Sequence, residues 1–250
     1  MIETNLSGIE TYAESVFALQ KRVIEDQKTT LNAIAQQMAK TIANDGRIFL
    51  FGTGHSHMMM EEGFYRAGGL AAVVPIFYSA LMLHEHSGLS SYLERTQGIA
   101  QRLLEAYHPV AGEMIIIYSN SGVNAMPVEM ALFAKEKELK VVAVCSLEYA
   151  KVAPLSPIGK RLSEVADYVI DNGGVPGDAL VPVPDTAWRV SPSSTLTNAL
   201  IWNCLLTETV FAMHRMGVEA PLFASLNMAG AAAHNQKILA KWSLLNPHLK

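Results

Sequence analysis

Two apolar runs that stop abruptly in small residues constrain this chain more than any other feature. Phe49-Leu50-Phe51 runs into Gly52-Thr53-Gly54-His55-Ser56, and Ile116-Ile117-Tyr118 runs into Ser119-Asn120-Ser121-Gly122. Each run is long enough for a buried strand, and each is followed by a helix-like segment. Small residues at the carboxyl end of a strand let backbone N–H groups come close to a ligand. The next helix aims its positive end at the same place. One Gly-rich and one Ser-rich turn of this kind in a single chain predict two walls of one anion pocket.

The rest of the chain supplies the frame for those turns. From Ile9 to Ala43, apolar residues recur at helical spacing (Val16, Leu19, Val23, Leu31, Ile34, Ala35, Met38, Ile42). They predict one long helix or two shorter ones, ended by Asn44-Asp45-Gly46. Beyond residue 46 the pattern predicts strands over 48–51, 70–78, 114–118, 141–145 and 168–170. Helices are predicted over 56–67, 97–107, 127–138 and 161–165. The strands are short, β-branched and apolar on both faces, the mark of a parallel sheet covered on both sides. The fold class is therefore α/β: an open, doubly wound, five-stranded parallel sheet with an N-terminal helical extension. Two segments follow. Residues 1–45 form the extension, and residues 46–250 form the anion-binding domain with its C-terminal helices. The stripe Leu31, Ile34, Met38, Ile42 exceeds what one open sheet can cover, which assigns the extension to dimerisation. A Gly- and Pro-rich stretch over 171–192 is long enough to read as a functional loop. A long helix over 193–216 starts at an N-cap cluster, Ser193-Ser194-Thr195, and a last helix covers 236–244.

Composition narrows the class. Half of the 250 residues are hydrophobic and only 17% are charged, so a large core is expected and disorder is not. A net charge of -4 without a basic block argues against nucleic acid as a partner. Cys145 and Cys204 lie far apart inside apolar runs, which fits reduced thiols in the cytoplasm. Met1-Ile2-Glu3-Thr4-Asn5 lacks the form of a signal peptide, and no stretch nears the roughly 20 apolar residues of a membrane helix. Met58-Met59-Met60 reads as core filler.

In a doubly wound sheet, ligands bind beyond the carboxyl ends of the strands, where the strand order reverses. If the first and third strands flank that point, the two turns meet there. Thr53, Ser56, Ser119 and Ser121 then offer hydroxyls, and Gly52, Gly54 and Gly122 offer open backbone N–H groups. Neither turn contains lysine. Neutral donors with helix dipoles suit a phosphate monoester. The first turn lacks the third glycine of a dinucleotide fingerprint, and no acid closes the second strand at Phe77-Tyr78. The Gly-Lys-Ser/Thr ending of a Walker loop is absent as well.

Gly-Thr-Gly-His-Ser from Gly52 and Ser-Asn-Ser-Gly from Ser119 resemble the sugar isomerase (SIS) domain. That family includes phosphoheptose isomerase, arabinose-5-phosphate isomerase and N-acetylmuramic acid 6-phosphate etherase. The strings from His55 to Gly69 and from Asp171 to Ala179 are similar to a bacterial group of SIS proteins labelled phosphosugar isomerases. The resemblance implies a flavodoxin-like domain, dimeric or tetrameric, with active sites near subunit boundaries. It implies a phosphate held on Ser119, Asn120, Ser121 and Asn124, completed by Ser56 and the amides after Gly54. Ser193, Ser194 and Thr195 resemble the family's loop before its last large helix, which lines the pocket. His55 and His57 flank the first turn and could bind phosphate, open a sugar ring or cap the helix.

The acid–base residues transfer less directly. The family glutamate on the helix after the first turn falls on Arg66, with Glu61 and Glu62 one turn earlier; Glu62 and Arg66 have the spacing of a helix ion pair. The family's His-Pro-Gly-Gly corresponds to Asn227-Met228-Ala229-Gly230, with His234 seven residues on. Glu85 or Glu94 could serve as base if their loop folds over the pocket. His84-Glu85-His86 has the spacing of a ligand pair but no third ligand, so neither a metal nor a cofactor is expected. His108 and His214 read as structural, and His248 sits in a terminal tail. These readings point to an aldose–ketose isomerase of a sugar phosphate. Glu62 or Glu85 would move the proton between C1 and C2, with His57 or His234 assisting ring opening. An amino-sugar-phosphate deaminase or etherase is the alternative within the same chemistry. A non-catalytic sugar-phosphate sensor acting through a protein partner is the alternative from another class.

Overall fold

The computed structural model describes residues 7–250. The Met1–Asn5 start and the first residues of the 1–45 segment lie outside the described residues. The chain begins with α1 (Gly8–Ala43), a single helix of 36 residues. Its start is a capping box: Ser7 Oγ accepts from the Glu10 amide at 3.3 Å, and the Glu10 carboxylate accepts from the Ser7 amide at 2.8 Å. Then follow β1 (Ile48–Gly52), a 3-10 turn (Gly54–His57), α2 (Met58–Gly63), β2 (Val73–Pro75), α3 (Ser87–Leu93), α4 (Ala100–Glu105), β3 (Met114–Tyr118), α5 (Ala125–Glu136) and β4 (Lys140–Cys145). The second half comprises α6 (Leu147–Val152), α7 (Leu162–Val165), β5 (Tyr168–Asp171), the hairpin β6 (Ala179–Pro182) and β7 (Arg189–Pro192), α8 (Ser194–Arg215) and α9 (Ala231–Trp242).

The sheet has the order β2-β1-β3-β4-β5, all parallel, with Phe49 beside Ile115 and Ile115 beside Val141. Side chains alternate between its two faces. Ile48, Leu50, Met114, Ile116, Tyr118, Val142 and Val144 join one core with α1 and α8. Phe49, Phe51, Ile115, Ile117, Val141 and Ala143 join a second core with α4 and α5. Both faces are buried, which is why the strands read as continuous apolar runs.

Four sequence expectations change. The stripe expected to need a partner subunit is covered within one chain: Leu31, Ile34, Met38 and Ile42 are 6%, 0%, 0% and 3% exposed, and α8 lies across α1. The helix expected over 56–67 starts as a 3-10 turn and ends at Gly63. Gly63 presses against the sheet and α8, where a Cβ would stand 2.4 Å from Leu50 Cδ1 and 3.2 Å from the Trp202 ring. The chain then turns extended at Phe64 and takes a positive φ at Tyr65. The strand expected over 70–78 shortens to three residues, because Leu70 pairs with Leu222 in an isolated antiparallel bridge instead. The 171–192 stretch carries the β6–β7 hairpin rather than open loop.

The amino ends of the strands are locked by charge. Arg47 and Glu113, both buried, pair through Nε–Oε1 at 2.5 Å and Nη2–Oε2 at 2.8 Å. The other guanidinium hydrogens go to the carbonyls of Tyr107, His108 and Leu245. The chain end closes the β2 edge, where Asn246 Nδ2 donates to the Val73 carbonyl at 2.9 Å.

Candidate functional site

In this strand order the switch point lies between β1 and β3, whose neighbours lead away in opposite directions. The two small-residue turns leave the sheet there side by side. The first turn needs its glycines. A Cβ on Gly52 would stand 2.6 Å from the Ser56 carbonyl oxygen, and Gly54 holds φ +54°. The Ser56 amide closes the turn onto the Thr53 carbonyl at 3.0 Å. Thr53 is buried, Ser56 half-buried, and His55 points outward and is exposed.

The second turn is pinned from behind. The Ser146 amide donates to the Asn120 carbonyl at 2.9 Å, and the Leu162 amide to the Gly122 carbonyl at 2.7 Å. Ser119 Oγ accepts from the Gly122 amide at 3.3 Å, and Gly122 has φ +62°. Asn124 is the N-cap of α5, yet its side chain makes no capping bond. Its Nδ2 donates to Glu94 Oε1 at 3.0 Å, while Thr53 Oγ1 donates to Glu94 Oε2 at 3.0 Å. One donor from each turn therefore converges on a single carboxylate. Arg95 also reaches Glu94 Oε1, at 2.8 Å.

Ser121 and Asn124 open onto a cleft of about 450 Å³, shared with Arg95, Tyr149 and Ser156. The Ser156 hydroxyl is buried there without a partner. On the other side of the turn, Asn120 Oδ1 accepts from Asn172 Nδ2 at 3.0 Å, and Asn172 Nδ2 also donates to Asn198 Oδ1 at 3.1 Å. This chain ties the second turn to the end of β5 and to α8. Asn120 Nδ2, Thr197 Oγ1 and the Tyr118 hydroxyl are buried nearby without partners. Burial pushes the Tyr118 phenol far above its usual range.

The Ser193-Ser194-Thr195 cluster is already engaged. Asp178 Oδ1 accepts from the Ser193 amide and hydroxyl, both at 3.1 Å, and from the Ser194 amide at 2.9 Å. Asp178 Oδ2 accepts from the Ser194 hydroxyl at 2.6 Å. A carboxylate from the loop before β6 thus caps α8, and Thr195 is half-buried in the first turn behind it.

The acid–base candidates scatter. Glu62 faces α8 and Arg66: Asn203 Nδ2 donates to its Oε1 at 3.0 Å, and Arg66 forms the i, i+4 ion pair. Glu85 is exposed between His84 and His86. His57 Nδ1 bonds the Gly54 carbonyl at 2.5 Å, and its ring meets His84 edge-on at 6.1 Å. His86 caps α3, its Nδ1 accepting from the Leu89 amide at 3.1 Å. His234 bonds the Leu222 carbonyl at 2.8 Å and lines a surface cleft with Lys241, whose partner Asp45 precedes β1. It therefore lies toward the amino ends of the strands, away from the two turns. Among the described residues no group of three or more His, Cys, Asp or Glu side chains stands in position to hold a metal ion.

Asp178, Asn172 and the placement of Glu94 are what sequence reasoning missed. Glu94 stands 41 residues after Thr53 and 30 before Asn124. Only the fold closes those distances. The Asn172-Gly173-Gly174 string was the one local signal: a Cβ on Gly174 would meet Asn172 Oδ1 at 3.1 Å and Asn120 Oδ1 at 3.4 Å.

A family model, the SIS domain, matches residues 11–146. This chain belongs to the SIS domain family. The match spans both turns and Glu94 between them. Among relatives, a UPF0309 protein of Geobacillus thermodenitrificans (strain NG80-2) is 40% identical over 235 residues, covering 94% of each chain. A UPF0309 protein of Listeria monocytogenes serotype 4b (strain CLIP80459) is 38% identical over 236 residues, covering 94% of this chain and 96% of the relative. Among solved structures, a phosphoheptose isomerase from Francisella tularensis aligns with a TM-score of 0.52 at 16% identity, over 82% of this chain and 98% of that one. At that identity the likeness is one of fold.

Proposed function

We propose that this SIS domain binds a sugar phosphate at the β1–β3 switch point and isomerises it between aldose and ketose. One observation carries the reading: Thr53 and Asn124, one from each small-residue turn, already share one anionic partner at 3.0 Å each. The phosphate would sit on the Ser121 and Asn124 side, at the amino end of α5, with Ser119 and Gly122 shaping the turn. Gly52 to Ser56 would form the facing wall. The base would be Glu94, the carboxylate that stands between the turns, in preference to Glu62, which Asn203 and Arg66 hold elsewhere. Glu94 would take the C2 proton and deliver it to C1 while the O2 proton passes to O1, so the aldose and ketose balance. His57, with Nδ1 committed to Gly54, would assist ring opening through Nε2. Glu85 is the second candidate for base if its exposed segment moves over the cleft.

The site of action we assign is the cytoplasm, where Cys145 and Cys204 remain thiols. Among the described residues no helix is long and apolar enough to cross a membrane. We assign a homodimer, supported by the exposed apolar side chains Ile9, Phe17, Trp188 and Val190 around the start of α1 and the β6–β7 hairpin.

A thermal-shift screen of aldose, ketose and amino-sugar phosphates, followed by turnover assays on the compounds that bind, tests the reading. Interconversion of an aldose and a ketose phosphate is the expected result. Loss of ammonia or of an ether substituent would reassign the same site to a deaminase or etherase. Binding without turnover of any compound would make the protein a sensor.

A further inference from the structure

Glu94 and Arg95 are adjacent in sequence and paired at 2.8 Å, and both reach into the site from the end of α3. Glu94 Oε1 takes two donors, Asn124 Nδ2 and Arg95 Nη1, while Oε2 takes only Thr53 Oγ1. Asn124 and Arg95 also line the 450 Å³ cleft with Ser121. The two donors on Oε1 are thus the groups that an anion entering the cleft beside Ser121 would meet. Arg95 Nη1 also donates to the Ser91 carbonyl at 2.6 Å, so the base of its swing is α3 itself, and its side chain is 61% exposed, against 17% for Glu94. Neither turn supplies a lysine, so Arg95 is the cation at this end of the cleft.

We propose that Arg95 is the cationic arm of this site, and that it and Asn124 exchange the Glu94 carboxylate for the phosphate of the incoming ligand. The inference rests on the sugar-phosphate reading above. Glu94 is the anionic partner that Arg95 and Asn124 hold in this structure. A phosphate monoester seated on Ser121 at the amino end of α5 offers the same two donors a dianion in place of a monoanion. Arg95 and Asn124 turn to it, and Glu94 Oε1 loses both hydrogen bonds while Oε2 keeps Thr53. The carboxylate stays tethered by one oxygen, with the other free to accept a proton. Phosphate binding and exposure of the base are then a single event. A neutral sugar, which cannot draw Arg95 away, leaves Glu94 occupied. The ligand class this selects is a phosphorylated sugar, with discrimination against the same sugar without its phosphate.

Isothermal titration with inorganic phosphate as the probe separates the possibilities, using the full chain and the variants Ser121→Ala, Arg95→Gln, Arg95→Lys and Glu94→Gln. Arg95→Gln should weaken phosphate binding roughly tenfold or more, the loss of one charge-assisted contact, and Arg95→Lys should restore part of it. Glu94→Gln removes the resident competitor and should tighten phosphate binding by roughly tenfold. Weaker binding in Ser121→Ala together with unchanged binding in both Arg95→Gln and Glu94→Gln would overturn the exchange and leave the phosphate site standing. Unchanged binding in Ser121→Ala would remove the site on which the exchange depends. Weaker binding in Glu94→Gln would also overturn the proposal, because it would make Glu94 a support of the anion rather than its competitor.

Discussion

At the scale of single residues, the site depends on short neutral donors held by backbone geometry. Ser121 lines the cleft, and its turn is pinned from behind by Ser146 and Leu162. Ser121→Ala should therefore weaken sugar-phosphate binding by about 1–3 kcal/mol, one lost charge-assisted hydrogen bond, without unfolding the chain. Titration calorimetry at fixed ionic strength reads this directly. Glu94→Gln keeps the shape of the side chain and removes the proposed base, so turnover should fall by roughly 100-fold or more while phosphate binding is retained or tightened. Glu62→Gln, at a carboxylate that pairs with Asn203 and Arg66, should leave turnover within a few-fold; the reverse order in a steady-state assay would return the role to Glu62. Cys145 lies close behind the second turn, in contact range of a Cβ on Gly122. Burial, and then the charge of Asp171, push its thiol up to about 12. It should resist iodoacetamide in the native protein and react in denaturant.

At the scale of elements, polar groups at both ends of the sheet position the site. At the amino ends, the buried Arg47–Glu113 pair joins β1 to β3 just before they run to the two turns. Glu113→Ala strands a buried guanidinium and should cost about 3–5 kcal/mol in urea unfolding, more than a surface pair such as Lys21–Glu25 could supply. At the carboxyl ends, Asp178 caps α8 with four hydrogen bonds from Ser193 and Ser194. The periodic elements were legible in the sequence because packing and propensity agree there. α1, β1, β3, β4, β5 and α8 fall within a residue or two of expectation, whereas the switch point between β1 and β3 comes from the spatial strand order of the folded sheet. The helix after β1 was overextended because its end is set by Gly63 against Leu50 and Trp202, a contact no local pattern encodes. The hairpin inside 171–192 was hidden by Gly and Pro, which punctuate hairpins as readily as loops. The two turns of the site could be read because each is a contiguous string. Glu94, Asp178 and Asn172 could not be placed, since each acts across a distance that only the folded sheet closes.

At the scale of the whole molecule, α1 is part of the core rather than an appendage, and the C-terminal tail seals the opposite edge. His248 packs against Phe64, Phe77 and Tyr107, and its Nε2 meets the Tyr107 hydroxyl at 2.9 Å. Burial holds its imidazole below the usual histidine range. A histidine held neutral in the fold contributes stability above its unfolded pKa of about 6.5, and that contribution is lost as the pH falls through the folded value. The Tm of the native chain should therefore fall below about pH 6.5, and His248→Gln should remove that part of the slope. The exposed apolar residues of the α1 start and the hairpin give the surface expected to meet a second copy, so light scattering at micromolar concentration should return a dimer mass. A monomer would leave Trp188, 76% exposed, without an occupant. The central claim is that the two turns at the β1–β3 switch point hold the phosphate of a sugar phosphate. Backbone amide NMR of the chain titrated with inorganic phosphate tests it most directly. The largest shifts should fall on residues 52–56 and 119–125, with Glu94 and Arg95 moving in step. Shifts centred instead on the cleft at the amino ends of the strands, around Lys40, Asn44 and Val110, would contradict it.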